Sequence, residues 1–365
     1  VKREAQDERW MREAVRLARL GAGLTRPNPP VGAVVVRGGR VVGRGYHRKA
    51  GGAHAEVYAL RQAGGRAKGA TLYVTLEPCS TWGRTPPCTD AVVAAGIRRV
   101  VVGARDPNPR HAGRGLRLLK RAGIQVDEQR GADEAGELIR PFASLMQRKR
   151  PWVILKLAAS LDGRIADATG QSKWISGSAS REVVQSMRRQ GDAIMVGAGT
   201  VVADDPSLLP RPAGGRRPYR VIVDSRGRVP PTAKVFQGDS ESVTVVATTR
   251  QCGNARRRAY AGAGGAVWIL PATRQGVSLP ALMRRLAGLG VMSVLVEGGG
   301  ALAESLLKAC LVDEVVMFIA PLVIGGGGVD AVGGQGWALN RAPRLHVQEV
   351  RRSGEDVMIR AIVTE

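Results

Sequence analysis

Apolar residues recur at helical spacing near the start of the chain, at Met11, Ala14, Val15 and Ala18, and give way at Gly21. The spacing predicts a first helix over residues 7–20. Apolar runs at 31–36 and 40–46 flank an Arg-Gly-Gly turn and predict a hairpin. A helix carrying His54 and Glu56 follows, then a strand over 70–76 that ends at Glu77-Pro-Cys79. Cys88 opens the next helix, over 89–95. A strand over 98–103, a helix over 116–122, a short strand near Ile124 and a helix over 133–146 complete a first α/β domain, residues 1–146.

Gln147-Arg-Lys-Arg-Pro151 is a short basic break, and the alternation restarts after it. Strands are expected over 152–158, 193–196, 220–224 and 243–247, with a helix over 181–189. A helix over 279–289 leads to a strand over 293–296, the triplet Gly298-Gly-Gly300 and a helix over 301–309. Strands near 315–319 and 357–363 close the chain, making residues 147–365 a second α/β domain. No internal repeat is visible.

At 365 residues both domains are long enough to bury their own cores. No apolar run is long enough to span a bilayer and none reads as a secretory segment. Four cysteines make no disulfide framework; Cys252 and Cys310 read as free thiols, so the chain is expected in the cytoplasm. Net charge is +24, mostly as arginine spread over both halves, and aromatics are only 4%. Few stacking platforms for a nucleic-acid strand are therefore present. A basic surface that attracts small phosphorylated substrates is the better reading.

His54, Cys79 and Cys88 offer one imidazole and two thiolates, three corners of a zinc tetrahedron with the fourth left for water. Zinc lowers the pKa of such a water to about 7. Glu56, two residues after the histidine, is placed to move protons rather than to bind the metal. A lone His-x-Glu or a lone cysteine pair means little. The four residues in this order predict a zinc-dependent deaminase acting on an amino-substituted heterocycle. Residues 80–87 separate the thiols, where nucleobase deaminases use Pro-Cys-x-x-Cys.

In the second domain, the strand leading into Glu297-Gly-Gly-Gly-Ala301 places glycines where a backbone can approach a phosphate. Gly197-Ala-Gly-Thr200 with Asp204-Asp205-Pro206 reads as a second polar loop, and Lys156, Ser160 and Asp162 as a third. Three loops after strand ends suit a nucleotide or phosphate site in an open α/β sheet.

Together the chain resembles the bifunctional riboflavin-biosynthesis deaminase/reductase family. The resemblance rests on Asn28-Pro-Pro-Val-Gly-Ala-Val, His54-Ala-Glu56 and the segment from Glu77-Pro-Cys to Gly-Arg-Thr-Pro-Pro-Cys88. It continues through Lys156-Leu-Ala-Ala-Ser-Leu-Asp-Gly163, Ser172-Lys-Trp-Ile-Ser-Gly177, Gly199-Thr-Val-x-x-Asp-Asp-Pro206 and Glu297-Gly-Gly. It implies a cytidine-deaminase-like domain followed by a dihydrofolate-reductase-like domain. The implied reactions are deamination of a diaminohydroxy-phosphoribosylaminopyrimidine and NADPH-dependent reduction of its ribosyl chain to ribityl. The implied zinc ligands are His54, Cys79 and Cys88, with Glu56 as the proton shuttle. Asn28, His47 and Arg84 match positions that hold the pyrimidine and its ribose phosphate. In the reductase, Ser172, Trp174 and Arg188 match substrate contacts, as do Leu208, Arg211 and Glu297. Ala158, Thr200, Asp204 and Ser225 match positions along NADPH. So does the segment Gly299, Gly300, Ala301, Leu302, Ala303, Glu304 and Ser305. Lys156 matches a lysine near the reacting sugar, where it could polarise the aldehyde, supply its proton, bind phosphate or order the loop. The resemblance also implies a homo-oligomer, dimer or tetramer.

On pattern alone several of these residues would be assigned otherwise. Asn28 would cap a turn, His47 would be an exposed polar side chain, Arg188 a solvated helix residue and Trp174 part of the core. Thr81, Ile139 and Leu209 depart from the family pattern, where His, Asn and Thr are common, and none of them removes a metal ligand or Glu56. Two competing readings remain. One is a nucleic-acid deaminase with a degenerate second domain, disfavoured by the long cysteine spacer and the few aromatics. The other is a structural zinc module, for which His47 is the nearest candidate fourth ligand.

Overall fold

The computed structural model describes residues 2–83, 85–109, 111–128, 133–212, 216–237 and 242–364. The chain divides into two units, Val1–Arg150 and Pro151–Glu365. No helix among the described residues is long and apolar enough to cross a membrane.

The first unit runs α1 (Lys2–Arg19), β1 (Gly32–Arg37), β2 (Arg40–Tyr46), α2 (Ala55–Ala63), β3 (Thr71–Leu76), α3 (Cys88–Ala94), β4 (Arg99–Ala104), α4 (Arg114–Arg121), β5 (Gln125–Glu128) and α5 (Asp133–Ala143). Its five strands lie in the order β2-β1-β3-β4-β5. β1 is antiparallel to both neighbours, whereas β3, β4 and β5 are parallel. Alternating side chains of β1, β3 and β4 serve two cores, as the period of two requires. Ala33, Val35, Leu72 and Val100 face α2, α3 and α4. Val34, Val36, Tyr73 and Val101 meet Trp10, Met11, Ala14 and Leu17 of α1.

The helix that carries the metal motif rides on β2 with no room for side chains between them. A Cβ placed on Gly45 would come within 2.2 Å of the Ala55 carbonyl oxygen and 2.6 Å of the Ala59 nitrogen. Gly43 meets the Ala59 carbonyl in the same way. Gly45→Ala is therefore expected to push α2 outward, costing about 1–3 kcal/mol by overpacking. Urea unfolding combined with zinc analysis would check this, since the metal ligand His54 caps the displaced helix.

The second unit runs β6 (Trp152–Ser160), β7 (Arg164–Ala166), α6 (Ser178–Gln190), β8 (Ala193–Gly197), α7 (Ala198–Asp204), β9 (Tyr219–Val223), β10 (Thr244–Thr248), α8 (Asn254–Gly262) and β11 (Gly265–Ile269). It continues through β12 (Ala272–Thr273), β13 (Gly276–Val277), α9 (Leu279–Gly288), β14 (Ser293–Val296), α10 (Gly300–Lys308), β15 (Glu314–Ala320), β16 (Val329–Asp330), β17 (Arg344–Ser353) and β18 (Asp356–Thr364). Nine strands form one sheet in the order β11-β10-β9-β8-β14-β6-β15-β18-β17. The first seven are parallel, and β18 runs antiparallel to both β15 and β17.

Three expectations need correction here. Residues 198–204 form α7 rather than a polar loop, because Val201 and Ala198 bury against the sheet. Lys156 and Ser160 lie within β6 rather than in a loop after it. Elements α8, β11 and β17 were absent from the pattern reading. In α8 a run of three arginines masks the apolar period, and β17 is exposed along most of its length.

Candidate active sites

Each residue of the metal motif sits where a regular element begins or ends. His54 is the N-cap residue of α2, Cys79 follows β3 and Cys88 is the first residue of α3. His54 Nδ1 lies 3.2 Å from Cys88 Sγ and 3.4 Å from Cys79 Sγ. All three donor atoms fall within 4.8 Å of one another. A tetrahedral zinc with bonds of about 2.0 Å to nitrogen and 2.3 Å to sulfur has donor separations of about this size, so the donor set fits the metal. The Cys88 N–H donates to Cys79 Sγ at 3.3 Å, which places that sulfur at the electropositive start of α3. Hydrogen bonds from Cys88 and His54 draw Cys79 toward the thiolate despite its burial. The same pairing with Cys79, together with burial, keeps Cys88 a thiol in the absence of metal. Zinc binding must therefore displace a proton.

Glu56 lies in the first turn of α2 and is only 3% exposed. Burial raises its pKa, and its Oε2 has no hydrogen-bond partner. It lines an open cavity with His54, Cys79, Asn28, His47 and Asp106. His47 Nδ1 donates to the Ala53 carbonyl at 3.0 Å, leaving Nε2 to accept from Asn28 Nδ2 at 3.2 Å. Burial lowers the His47 pKa, which suits this neutral tautomer. The pattern-based assignment of His47 as an exposed side chain fails, since the residue is 2% exposed. It is also hydrogen-bonded to Asn28, which therefore does more than cap a turn. Arg84 lies outside the described residues.

Two acidic residues at this site were not singled out in sequence. The Glu77 carboxylate accepts from the backbone N–H groups of Asp106, Gly113, Gly115 and Leu116. It thereby pins the start of α4 to the loop bearing Cys79. Asp106 lines the cavity, and burial raises its pKa. The only sequence signal for Asp106 is its place just beyond the C-terminal end of β4.

In the second unit, Thr200, Ser225, Glu297 and Gly299 follow the C-terminal ends of the parallel strands β8, β9 and β14. Glu297 follows β14 and Arg188 lies in the last turn of α6, and they pair bidentately, Nε to Oε1 at 2.6 Å and Nη2 to Oε2 at 2.8 Å. Their side chains are 13% and 11% exposed, so Arg188 is not a solvated helix residue. Burial works to raise the Glu297 carboxyl, but its bonds and charge pairing with Arg188, helped by Lys156, hold it below the ordinary value. Lys156 projects from β6 on the face that also carries Ala158. Burial lowers its pKa, with Glu297 opposing and Arg188 reinforcing the shift.

Ser172 Oγ donates to Asp204 Oδ1 at 3.0 Å, and the Gly299 N–H donates to Thr200 Oγ1 at 3.2 Å. These bonds tie α7 to the segment before α6 and to the glycine loop. Gly299 caps α10, and the N–H groups of Gly300 and Ala301 at its start suit a pyrophosphate, so the residues present fit a dinucleotide. Leu302, Ala303 and Leu208 turn their side chains into the core, leaving only their backbones for a ligand. Ser305 Oγ donates to the Ala301 carbonyl, and Glu304 is bonded to Lys308. Trp174 is 68% exposed rather than core, with the Arg181 guanidinium 4.6 Å above its ring. The Arg211 N–H donates to Gln185, and Leu209 supplies a carbonyl to Arg188, a role its side chain does not affect. Ser225 follows β9 by two residues.

The first unit is thus cytidine-deaminase-like and the second dihydrofolate-reductase-like. Residues 4–104 match the cytidine and deoxycytidylate deaminase zinc-binding region, and residues 151–359 match the RibD C-terminal domain. Riboflavin biosynthesis protein RibD of Aquifex aeolicus is 43% identical, over 97% of this chain and 97% of its own. That of Escherichia coli K12 is 42% identical, over 98% and 99%. Among solved structures, RibD of Acinetobacter baumannii has a TM-score of 0.87 at 39% identity, covering 99% of this chain and 100% of its own. The diaminohydroxyphosphoribosylaminopyrimidine deaminase/5-amino-6-(5-phosphoribosylamino)uracil reductase of Thermotoga maritima has a TM-score of 0.88 at 36% identity, with the same coverage. The chain belongs to the RibD family of bifunctional riboflavin-biosynthesis enzymes.

Proposed function

We propose that the first unit deaminates a diaminohydroxy-phosphoribosylaminopyrimidine at His54, Cys79, Cys88 and Glu56. The second then reduces the product's ribosyl chain to ribityl with NADPH. The observation that carries this reading is the donor triad within 4.8 Å beside a buried glutamate whose Oε2 has no partner. Zinc, held by the triad, supplies a Lewis acid that makes water nucleophilic at neutral pH. Glu56 takes a proton from the attacking water and delivers it to the ring nitrogen, then passes one to the departing ammonia. Asn28, oriented by His47, holds the pyrimidine, and Arg84 meets the ribose phosphate.

In the second unit NADPH supplies the reducing equivalents. Thr200, Asp204, Ser225 and the start of α10 hold the cofactor. Lys156 donates a proton to the carbonyl oxygen of the opened sugar, for which its burial-lowered pKa suits it. The Arg188–Glu297 pair, with Ser172, Trp174 and Arg211, positions the substrate. The enzyme works in the cytoplasm as a dimer or tetramer. The support for assembly is the sheet edge β17, where Leu345, Val347 and Val350 are 49%, 52% and 61% exposed.

Chelation tests the assignment of the two units. Stripping zinc is expected to abolish ammonia release while NADPH oxidation on the deaminated product continues, and added zinc should restore the first activity. Deamination that survives at no detectable zinc would remove the hydrolytic reading.

A further inference from the structure

We infer that Arg226 and Arg250 bind the 2′-phosphate of NADPH and thereby select it over NADH. The inference rests on the reductase reading above and extends it to two residues that no motif singled out.

β9 and β10 are adjacent parallel strands in which Val223 pairs with Ala247. Arg226 and Arg250 each lie three residues beyond that pair, in the turns that follow the two strands, so both emerge at the same edge of the sheet. This is the edge at which β8 and β14 present Thr200 and the glycine loop. Strand order places β9 two strands and β10 three strands from β14. A dinucleotide whose pyrophosphate rests at the start of α10 therefore extends its adenosine toward them.

Both turns are fixed from beneath. The Asp224 carboxylate accepts the N–H groups of Gly227, Arg228 and Val229 and the Tyr260 hydroxyl. Thr249 Oγ1 donates to the Ser225 carbonyl at 2.8 Å and accepts the Gln251 N–H at 3.1 Å. Ser225 Oγ in turn accepts the Val277 N–H. The backbone around Ser225 is thus pinned on both sides, while Arg226 and Arg250 are exposed. Among the described residues, no acidic side chain pairs with either guanidinium, and the nearest carboxylate in sequence, Asp224, is fully buried and committed to the turn. Two unpaired guanidinium groups on rigid turns provide the planar, permanently charged donors that a phosphate monoester takes.

Calorimetric titration of the full-length, zinc-loaded protein with adenosine 2′,5′-bisphosphate and with 5′-AMP tests the inference without turnover. Arg226→Ala and Arg250→Ala should each weaken the bisphosphate about tenfold or more, as loss of a hydrogen bond to a charged group does, and leave 5′-AMP unchanged. Arg284→Ala, an equal loss of charge on α9, should alter neither. In steady state, KM for NADPH should rise with kcat unchanged and KM for NADH unmoved. Equal weakening of both nucleotides, an equal effect of Arg284→Ala, or no effect of either substitution would each overturn the assignment. If the unaltered protein binds neither nucleotide and oxidises neither cofactor, the reductase reading itself falls, and this inference with it.

Discussion

Glu56→Gln is expected to retain about one zinc per chain and to release ammonia about 10²–10⁴-fold more slowly, the range that general acid–base catalysis commonly contributes. The substitution keeps the shape of the side chain and its place on α2, and the three donors His54, Cys79 and Cys88 are untouched. What it removes is the ability to take up a proton and return it. Glu56 is suited to that task because burial raises its pKa and its Oε2 has no partner, so one carboxylate oxygen stays free to take a proton. The amide keeps one carbonyl acceptor and adds no buried charge, so the cost to folding should stay within about 1–3 kcal/mol. The reductase step should proceed at the unaltered rate on deaminated product. Deamination within a few-fold of the unaltered protein, with zinc present, would exclude Glu56 as the proton carrier. Loss of zinc would make it a structural residue instead.

This contrast between proton transfer and metal retention was legible in sequence because it depends on short-range spacing. His54 and Glu56 are two residues apart, and Cys79 and Cys88 fall at a strand end and a helix start that periodicity alone locates. Parallel strands β8, β9, β10 and β14 were equally readable, since continuous apolar runs mark strands buried on both faces. What escaped is what depends on partners distant in the chain. Arg188 looks solvated on α6 until Glu297, 109 residues later, is placed against it. His47 looks exposed beyond a hairpin strand until the Ala53 carbonyl and Asn28 close on its ring. Glu77 was visible only as part of the Glu-Pro-Cys run. Its work, collecting four backbone N–H groups from residues 106–116, is invisible until the loop folds back. In α7, the glycines and aspartates at 197–205 signal a turn, and tertiary burial of Ala198 and Val201 overrides that signal.

The Arg188–Glu297 pair should produce the largest stability change, and the two halves of the pair should not be equivalent. Glu297→Ala leaves the Arg188 guanidinium without its bidentate partner and removes the carboxylate that favours the charged form of Lys156. That is the breaking of a buried ion pair, and a loss of about 3–5 kcal/mol is expected in the second unit. Arg188→Ala is milder, because Lys156 remains as a charge partner for the Glu297 carboxylate. The pH dependence follows from the lysine. Burial already lowers the folded-state pKa of Lys156, and loss of Glu297 removes the interaction that raises it, so the pKa falls further. Where the unfolded chain holds a proton that the folded chain has lost, stability rises with pH. The deficit of Glu297→Ala should therefore shrink as pH is raised through the alkaline range, whereas that of Arg188→Ala should show no comparable recovery. Thermal unfolding of both variants with zinc-dependent deamination as an internal control separates the cases: the first unit should retain its activity in each. Equal destabilisation by the two substitutions, or a Glu297→Ala deficit that does not narrow with pH, would mean that Lys156 does not share the charge of this pair. Its proposed part in protonating the sugar would then lose its electrostatic basis.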